Sequence, residues 1–377
     1  RTAAAVVNAL PGAAAAPGTA ALGKPGTAAA LPQGFTPIGP LSWSGKDASG
    51  QRGATARGRR DKAAAAAEAR RPAVFVLPGI LGSNLRTAEH RLWVGFRIIA
   101  GLRRLTYKAG DADGIADDGP IGLIYDDLIE FLGRSHEVIP FGFDWRRPIE
   151  EEARRLARAI DAALEARKAN GQPVRVIAHS MGGLVARTVQ LESPATWARW
   201  MAHEGARLVM LGTPNGGSWA PMQVLSGDDT IGNLLAVIGA PFSDGRPVMA
   251  AMPGFLQLQA GLTDERTGLA LSERWRQLAA DDFAQLQSAN WWHRAAGEAL
   301  QEAVYRWGVP SQEVLDRAIT LRKRLDQQVE RDLPGFADKL RLVVGRARFT
   351  PDGYEVGGEG FVYLDAVDGG DGRVPLR

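Results

Sequence analysis

Cysteine is absent from all 377 residues, which removes disulfides, thiolate nucleophiles and cysteine-ligated metals in one step. Histidine is scarce: His90, His136, His179, His203 and His293 are scattered without the His-x-x-x-His spacing of a zinc site, so neither a metal nor a cofactor is called for. No stretch approaches the roughly eighteen consecutive apolar residues that a membrane helix needs. Heptads and internal repeats are missing too, which sets aside coiled coils and solenoids. Without cysteine usage as a guide, the redox compartment and the localisation stay undetermined.

Charge of either sign is in small excess, since the net is only +3, but it is unevenly spread: residues 1–72 carry +7 and the rest of the chain −4. That first segment is dominated by Ala, Gly and Pro, with runs at Ala13–Ala16 and Ala63–Ala67 and almost no aromatic residue to seed a core. Residues 1–72 are therefore expected to be a disordered or linker segment. A solvated arm is favoured over one that grips nucleic acid or an anionic membrane, so no nucleic-acid partner is expected. The opening Arg1-Thr-Ala-Ala-Ala-Val-Val7 is only weakly like a signal peptide, because Asn8, Pro11 and Gly12 interrupt it, and there is no initiator methionine. The chain is read as a piece of a longer parent with other domains.

From Ala73 onward, apolar strand patterns alternate with helical ones. Strands are expected at Ala73–Leu77, Glu137–Phe143, Val174–Ile177 and Ala206–Leu211, with helices over Tyr125–Leu132 and from Ile149 to near Gly171. Such alternation implies an α/β fold, a mostly parallel sheet with helices on both faces, whose active site lies at the C-terminal ends of the strands. Trp93 and the apolar run Val94–Ile99 are expected near that site, and Gly110–Gly119 reads as a loop. The alternation stops at about 221–339, a region rich in Ala, Leu, Gln and Arg that carries Trp275, Trp291, Trp292, Trp307 and a helical run over Glu313–Leu333. This region reads as a helical cap over an apolar cleft, the alternative being a helical addition with no gating role. Strand character returns at Leu340–Val344.

The chemistry is declared by Ala178-His-Ser-Met-Gly-Gly183. A strand runs straight into Ser180 and then into a helix, with small residues two places before and two after the serine, at Ala178 and Gly182. That is the pattern of a nucleophile elbow, in which larger side chains at those two positions would strike neighbouring backbone. The helix start leaves the Met181 N–H free where an oxyanion would form. A second donor is expected from the glycine-rich loop after the first strand, at Ile80. His179 adjoins Ser180 but is expected to point away across the turn.

These segments together resemble the lecithin:cholesterol acyltransferase family of lipase-like α/β-hydrolases over residues 73–377. The carriers are Leu77-Pro-Gly-Ile-Leu-Gly82, Phe143-Asp-Trp-Arg146, the Ser180 elbow, Leu211-Gly-Thr-Pro-Asn-Gly-Gly217, Met252-Pro-Gly-Phe-Leu-Gln-Leu258 and Gly370-Asp-Gly-Arg-Val-Pro-Leu376. The resemblance implies an α/β-hydrolase domain at 73–377, Ser180 as nucleophile and Asp371 as triad acid, with Asp365 and Asp368 as local competitors. It gives Asp144 and Trp145 a place in the cleft wall and the base of the lid. Arg373 stands where the family usually has threonine. In this fold the triad histidine follows the acid, and none of the five histidines lies after Asp371. The base, with a final strand and helix, is accordingly expected beyond Arg377. The implied function is a serine hydrolase or acyltransferase on lipid-like acyl esters, which allows a transient contact with a membrane interface. A catalytically silent binding or regulatory module is the alternative.

Overall fold

The computed structural model describes residues 71–89, 91–92, 105–111, 113–228, 245–289, 307–357 and 360–376. The expected linker over 1–70, the Trp93–Ile99 run, Trp291, Trp292, His90 and His293 lie outside them.

The strands are β1 (Ala73–Leu77), β2 (Ser83–Arg86), β3 (Ala116–Pro120), β4 (Glu137–Pro140), β5 (Val174–His179), β6 (Arg207–Leu211), β7 (Leu340–Val343), β8 (Pro351–Gly357) and β9 (Gly360–Asp365). The helices are α1 (Gly122–Gly133), α2 (Ile149–Arg167), α3 (Met181–Glu192), α4 (Pro194–Ala202), α5 (Ala220–Ser226), α6 (Gly245–Ala250), α7 (Pro253–Leu256), α8 (Ser272–Ala289) and α9 (Gln312–Arg331). Five strands form the central sheet in the order β4-β1-β5-β6-β7, every neighbouring pair parallel. The expected α/β fold with a mainly parallel sheet and helical insertions is the observed one.

Strand alternation explains how the layers form. Val174, Val176 and Ala178 of β5 and Leu208 and Met210 of β6 point to one face and are buried there, in a core shared with α2, α3 and α4. Trp200 of α4 is fully buried and donates its indole N–H to the Val174 carbonyl at 2.8 Å. On the other face, Val74 and Val76 of β1 meet Tyr125 and Leu132 of α1. Helix α2 follows the expected stripe: Ile149, Leu156 and Ile160 are buried, and three glutamates in its first turn complement the helix dipole.

Three features depart from the expectations. Residues 116–120, read as loop, form β3 antiparallel to β2. Ala-Asp-Asp-Gly-Pro has little strand propensity, and the pairing is imposed by the partner segment, whose Leu85 is fully buried. Between β7 and Asp371 lies an antiparallel hairpin, β8–β9, that the reading above does not contain. Its Tyr354, Phe361 and Tyr363 pack with Trp219 and Trp307 through ring contacts of 5.0–5.9 Å. Finally, α9 falls within the expected cap, yet it is tied to α3: Arg187 donates to the Leu325 carbonyl at 2.9 Å and to Gln328 Oε1 at 3.1 Å.

Glu152 of α2 supplies a pH dependence. It is 4% exposed, and burial pushes its pKa up from 4.5 to about 7, against the opposing pull of Arg155 at 2.9 Å. The folded state thus holds a proton that the unfolded state has released, so this contribution is complete at low pH and is lost as pH rises through that window. Melting temperature followed from about pH 5 to about pH 8 should fall, and Glu152→Gln should flatten the slope. An unchanged slope in the variant would assign the titration to another group.

Candidate active site

Two described residues other than glycine have positive φ, Ser180 at 51° and Leu81 at 60°. Each such conformation is strained by roughly 1–3 kcal/mol and persists only when its surroundings enforce it. Both sit at the C-terminal end of the sheet, Ser180 after β5 and Leu81 in the loop after β1, and β1 and β5 are neighbours. The elbow is held by the Ser180 N–H on the Leu211 carbonyl at 2.8 Å and the Gly183 N–H on the Ser180 carbonyl at 3.0 Å. A Cβ at Gly182 would lie 2.5 Å from the Pro78 carbonyl oxygen, the backbone collision that the small-residue pattern implies. Ser180 is half-buried, and its Oγ has no hydrogen-bond partner among the described residues.

The loop after β1 closes as a tight turn, Gly82 N–H to the Gly79 carbonyl at 3.0 Å. A Cβ at Gly79 would stand 3.0 Å from Ser180 Cβ, so this turn lies directly against the serine. Its Gly79 N–H is engaged by the Tyr125 hydroxyl at 2.9 Å. The next amide, at Ile80, has no acceptor among the described residues, and neither does Met181, the first residue of α3. Both sequence-predicted oxyanion donors thus have their protons unclaimed, Met181 directly after Ser180 and Ile80 directly after the Gly79 that lies against it.

Asp371 arrives from the far side of β6. One step past the Leu211 carbonyl that holds Ser180, a Cβ at Gly212 would lie 3.1 Å from Asp371 Oδ2, and one at Gly345, after β7, would lie 2.9 Å from its Cβ. Oδ1 accepts the N–H groups of Arg373 at 2.9 Å and Val374 at 2.7 Å, while Oδ2 has no hydrogen bond among the described residues. Its competitors differ: Asp365 is exposed and caps the Thr350 N–H at 2.9 Å, and Asp368 is exposed. Arg373, the departure from the family pattern, presents its carbonyl to Ser218 Oγ at 2.6 Å.

Asp144 and Trp145 are 2% and 1% exposed. The Asp144 carboxylate takes Arg146 Nε at 2.9 Å and Nη2 at 2.6 Å, and Arg146 Nη1 reaches Asp113 at 2.9 Å. Above this ion pair sits α7: the Gly254 N–H donates to the Arg146 carbonyl at 3.1 Å, and a Cβ at Gly254 would lie 2.9 Å from Met181 Cε. These residues are the seat of the inserted segment beside the elbow helix.

None of the described histidines bonds to Ser180 or Asp371. His136 lies between Ser135 Oγ and Arg175 Nη1 at 2.8 Å each, and His203 between the Gly171 carbonyl at 2.7 Å and the Gly205 N–H at 2.9 Å. His179 meets Tyr125 Oη at 2.8 Å through Nδ1, on the sheet face of Arg175 and Ile177. Sequence reasoning missed Tyr125, for which no local signal exists. Among the described residues there is no cluster of three or more ligating side chains that could hold a metal, and no helix is long and apolar enough to cross a membrane.

A parallel sheet with a strained serine turn at the end of its middle strand defines an α/β-hydrolase fold. The chain is similar to the lecithin:cholesterol acyltransferase family, whose model matches residues 121–237, from α1 through the elbow and past β6. An uncharacterized protein of Saccharomyces cerevisiae is 29% identical over 133 residues, 31% of this chain and 20% of the yeast protein, so the chain spans about a fifth of that relative's length. Among solved structures, the lipase BlEst2 of Bacillus licheniformis in its mature form is 13% identical over 53% of this chain and 59% of its own, with a TM-score of 0.28. Phospholipase PlaB of Legionella pneumophila is 17% identical over 54% of this chain and 35% of its own, also with a TM-score of 0.28. Likenesses as slight as these two carry nothing about chemistry.

The close approach at Gly182 makes a direct test. Gly182→Ala should destabilise the fold by about 1–3 kcal/mol through overpacking, read as a lower urea midpoint at unchanged m. A midpoint equal to that of the wild type would mean that β1 and the elbow are further apart than described.

Proposed function

We propose that this chain is a serine hydrolase or acyltransferase of lipid-like acyl esters, with Ser180 as nucleophile and Asp371 as the acid of its triad. The observation that carries the reading is a strained serine, Ser180, followed by an unclaimed Met181 N–H and facing, through Gly79, a loop whose Ile80 N–H is also unclaimed. Ser180 Oγ attacks the ester carbonyl as a histidine removes its proton. The oxyanion forms between the two amides, which are already oriented and need not reorganise as charge develops. Collapse expels the alcohol, which leaves with the proton from the histidine, and the acyl-enzyme passes to water or to an acceptor alcohol. Chain order of serine, acid, histidine assigns the base to a position after Asp371. The unclaimed Oδ2 of Asp371 is the atom that would orient it.

Asp144 and Trp145 support the base of the lid, because α7 rests on the turn they form. Substrate is drawn from the apolar cleft that the capping helices cover, with transient contact at a lipid interface. The other reading, a silent α/β-hydrolase module serving further domains of a longer parent, is favoured by one observation: none of the described histidines touches Ser180 or Asp371.

Fluorophosphonate labelling separates the two readings. In the longer protein that carries the histidine expected after Asp371, fluorophosphonate should label the chain and a short p-nitrophenyl ester should be hydrolysed, and Ser180→Ala should abolish both. An unlabelled wild-type protein would favour the silent module, and a labelled alanine variant would move the nucleophile elsewhere.

The lid has its own readout. Added detergent or lipid interface should raise turnover of long-chain esters more than that of acetates. An equal response at both chain lengths would leave the capping helices without a gating role.

A further inference from the structure

One oxygen atom joins three separate segments behind the serine. Tyr125, in the first turn of α1, is 5% exposed, and its hydroxyl lies 2.9 Å from the Gly79 N–H and 2.8 Å from His179 Nδ1. The contact is enclosed, since a Cβ at Gly82 would come within 2.9 Å of the same oxygen. Burial pushes the phenol up to about 12, so the hydroxyl keeps its proton. A phenol has one proton to give, and a backbone N–H can only donate. The Gly79 N–H therefore fills a lone pair of Tyr125, and the phenolic proton is left for His179. Nδ1 can accept it only if the ring carries its own proton on Nε2. Burial also lowers the His179 pKa, against the nearby Asp371, which keeps the ring neutral.

The consequence falls on the neighbouring amide. Gly79 opens the turn in which Leu81 is strained at φ 60°: Tyr125 holds the peptide plane that ends in the Gly79 N–H, and the next plane, which carries the Ile80 N–H, is held at its Gly79 carbonyl by the Gly82 N–H. Resting on the catalytic reading above, we propose that Tyr125 and His179 are positioning residues: the relay from Gly79 N–H through Tyr125 to His179 Nδ1 aims the Ile80 N–H at the oxyanion, and His179 serves as this anchor and not as the base. The elbow residue before the nucleophile would thus lock the loop that faces it.

Two measurements test this, NMR on this chain and ester hydrolysis on the longer protein that carries the histidine expected after Asp371. In ¹⁵N-histidine NMR near neutral pH, His179 should be neutral with Nδ1 unprotonated and Nε2 protonated, and Tyr125→Phe should shift the Nδ1 resonance and speed exchange of the Gly79 amide. A wild-type ring protonated on Nδ1 would overturn the relay. In ester hydrolysis, Tyr125→Phe and His179→Leu should each lower kcat by about 10- to 100-fold, the scale of a small misplacement, with KM within about twofold. His179→Asn should recover most of the loss, because asparagine Oδ1 occupies the place of Nδ1 as an acceptor. Wild-type kcat in Tyr125→Phe, or equal losses in His179→Leu and His179→Asn, would remove the positioning role. If Tyr125→Phe does not fold, the two His179 variants decide alone. A wild-type protein without turnover would defeat the catalytic reading, while the NMR measurement would still decide the relay.

Discussion

Two stretches of backbone, the end of β1 and the start of α3, pass each other with no room for a methyl group between them. The pairing of Leu77 with Ala178 brings both strands to the same height, so their loops leave the sheet side by side. With the Pro78 carbonyl 2.5 Å from where a Gly182 Cβ would sit, neither loop can relax without the other. That mutual confinement accounts for the strain: Ser180 and Leu81 lie on either side of the contact, each in a conformation that a free loop would abandon. It also accounts for the chemistry available there, because backbone that cannot move presents its N–H groups in a fixed direction.

Much of this was legible in the amino-acid sequence, for a local reason. Ala73–Leu77 is buried and apolar on both faces and Val174, Val176 and Ala178 are buried on one, so both strands announce themselves, and the elbow needs small residues at fixed offsets from its serine. What stayed hidden depends on distant partners. β3 is written in Asp, Gly and Pro and is a strand because β2 lies beside it. The hairpin between Tyr354 and Leu364 is held by ring contacts to Trp219 and Trp307, which are distant in sequence. Tyr125 is an ordinary apolar position on a helix until Gly79, 46 residues earlier, and His179, 54 later, are folded against it.

Buried arginines fasten the helical layer by two different means. Arg146 has carboxylates at Asp144 and Asp113, and these raise its pKa despite burial. Removing a single partner from such a pair is far more damaging than the net worth of the pair, so the turn under α7 is committed to its geometry. Arg187 has carbonyl and amide oxygens instead, from Leu325, Gln328 and Asn215, and burial lowers its pKa to about 9, with Arg322 adding to the fall. A guanidinium solvated by neutral oxygens in fixed directions sets orientation above all. It holds α9 in register along the elbow helix although α9 follows α3 by more than a hundred residues.

The hairpin β8–β9 enters and leaves at nearly the same point, for the Ala347 N–H meets the Gly370 carbonyl at 2.7 Å. Everything between those two residues is a detour that returns the chain to where it began, and Asp371 follows at once. The free energy of closing such a detour grows only logarithmically with its length, doubling being worth about 0.6 kcal/mol. The position of Asp371 is thereby uncoupled from the size of what precedes it. An engineer could exchange the hairpin for another folded module at this junction without redrawing the loop that carries Asp371.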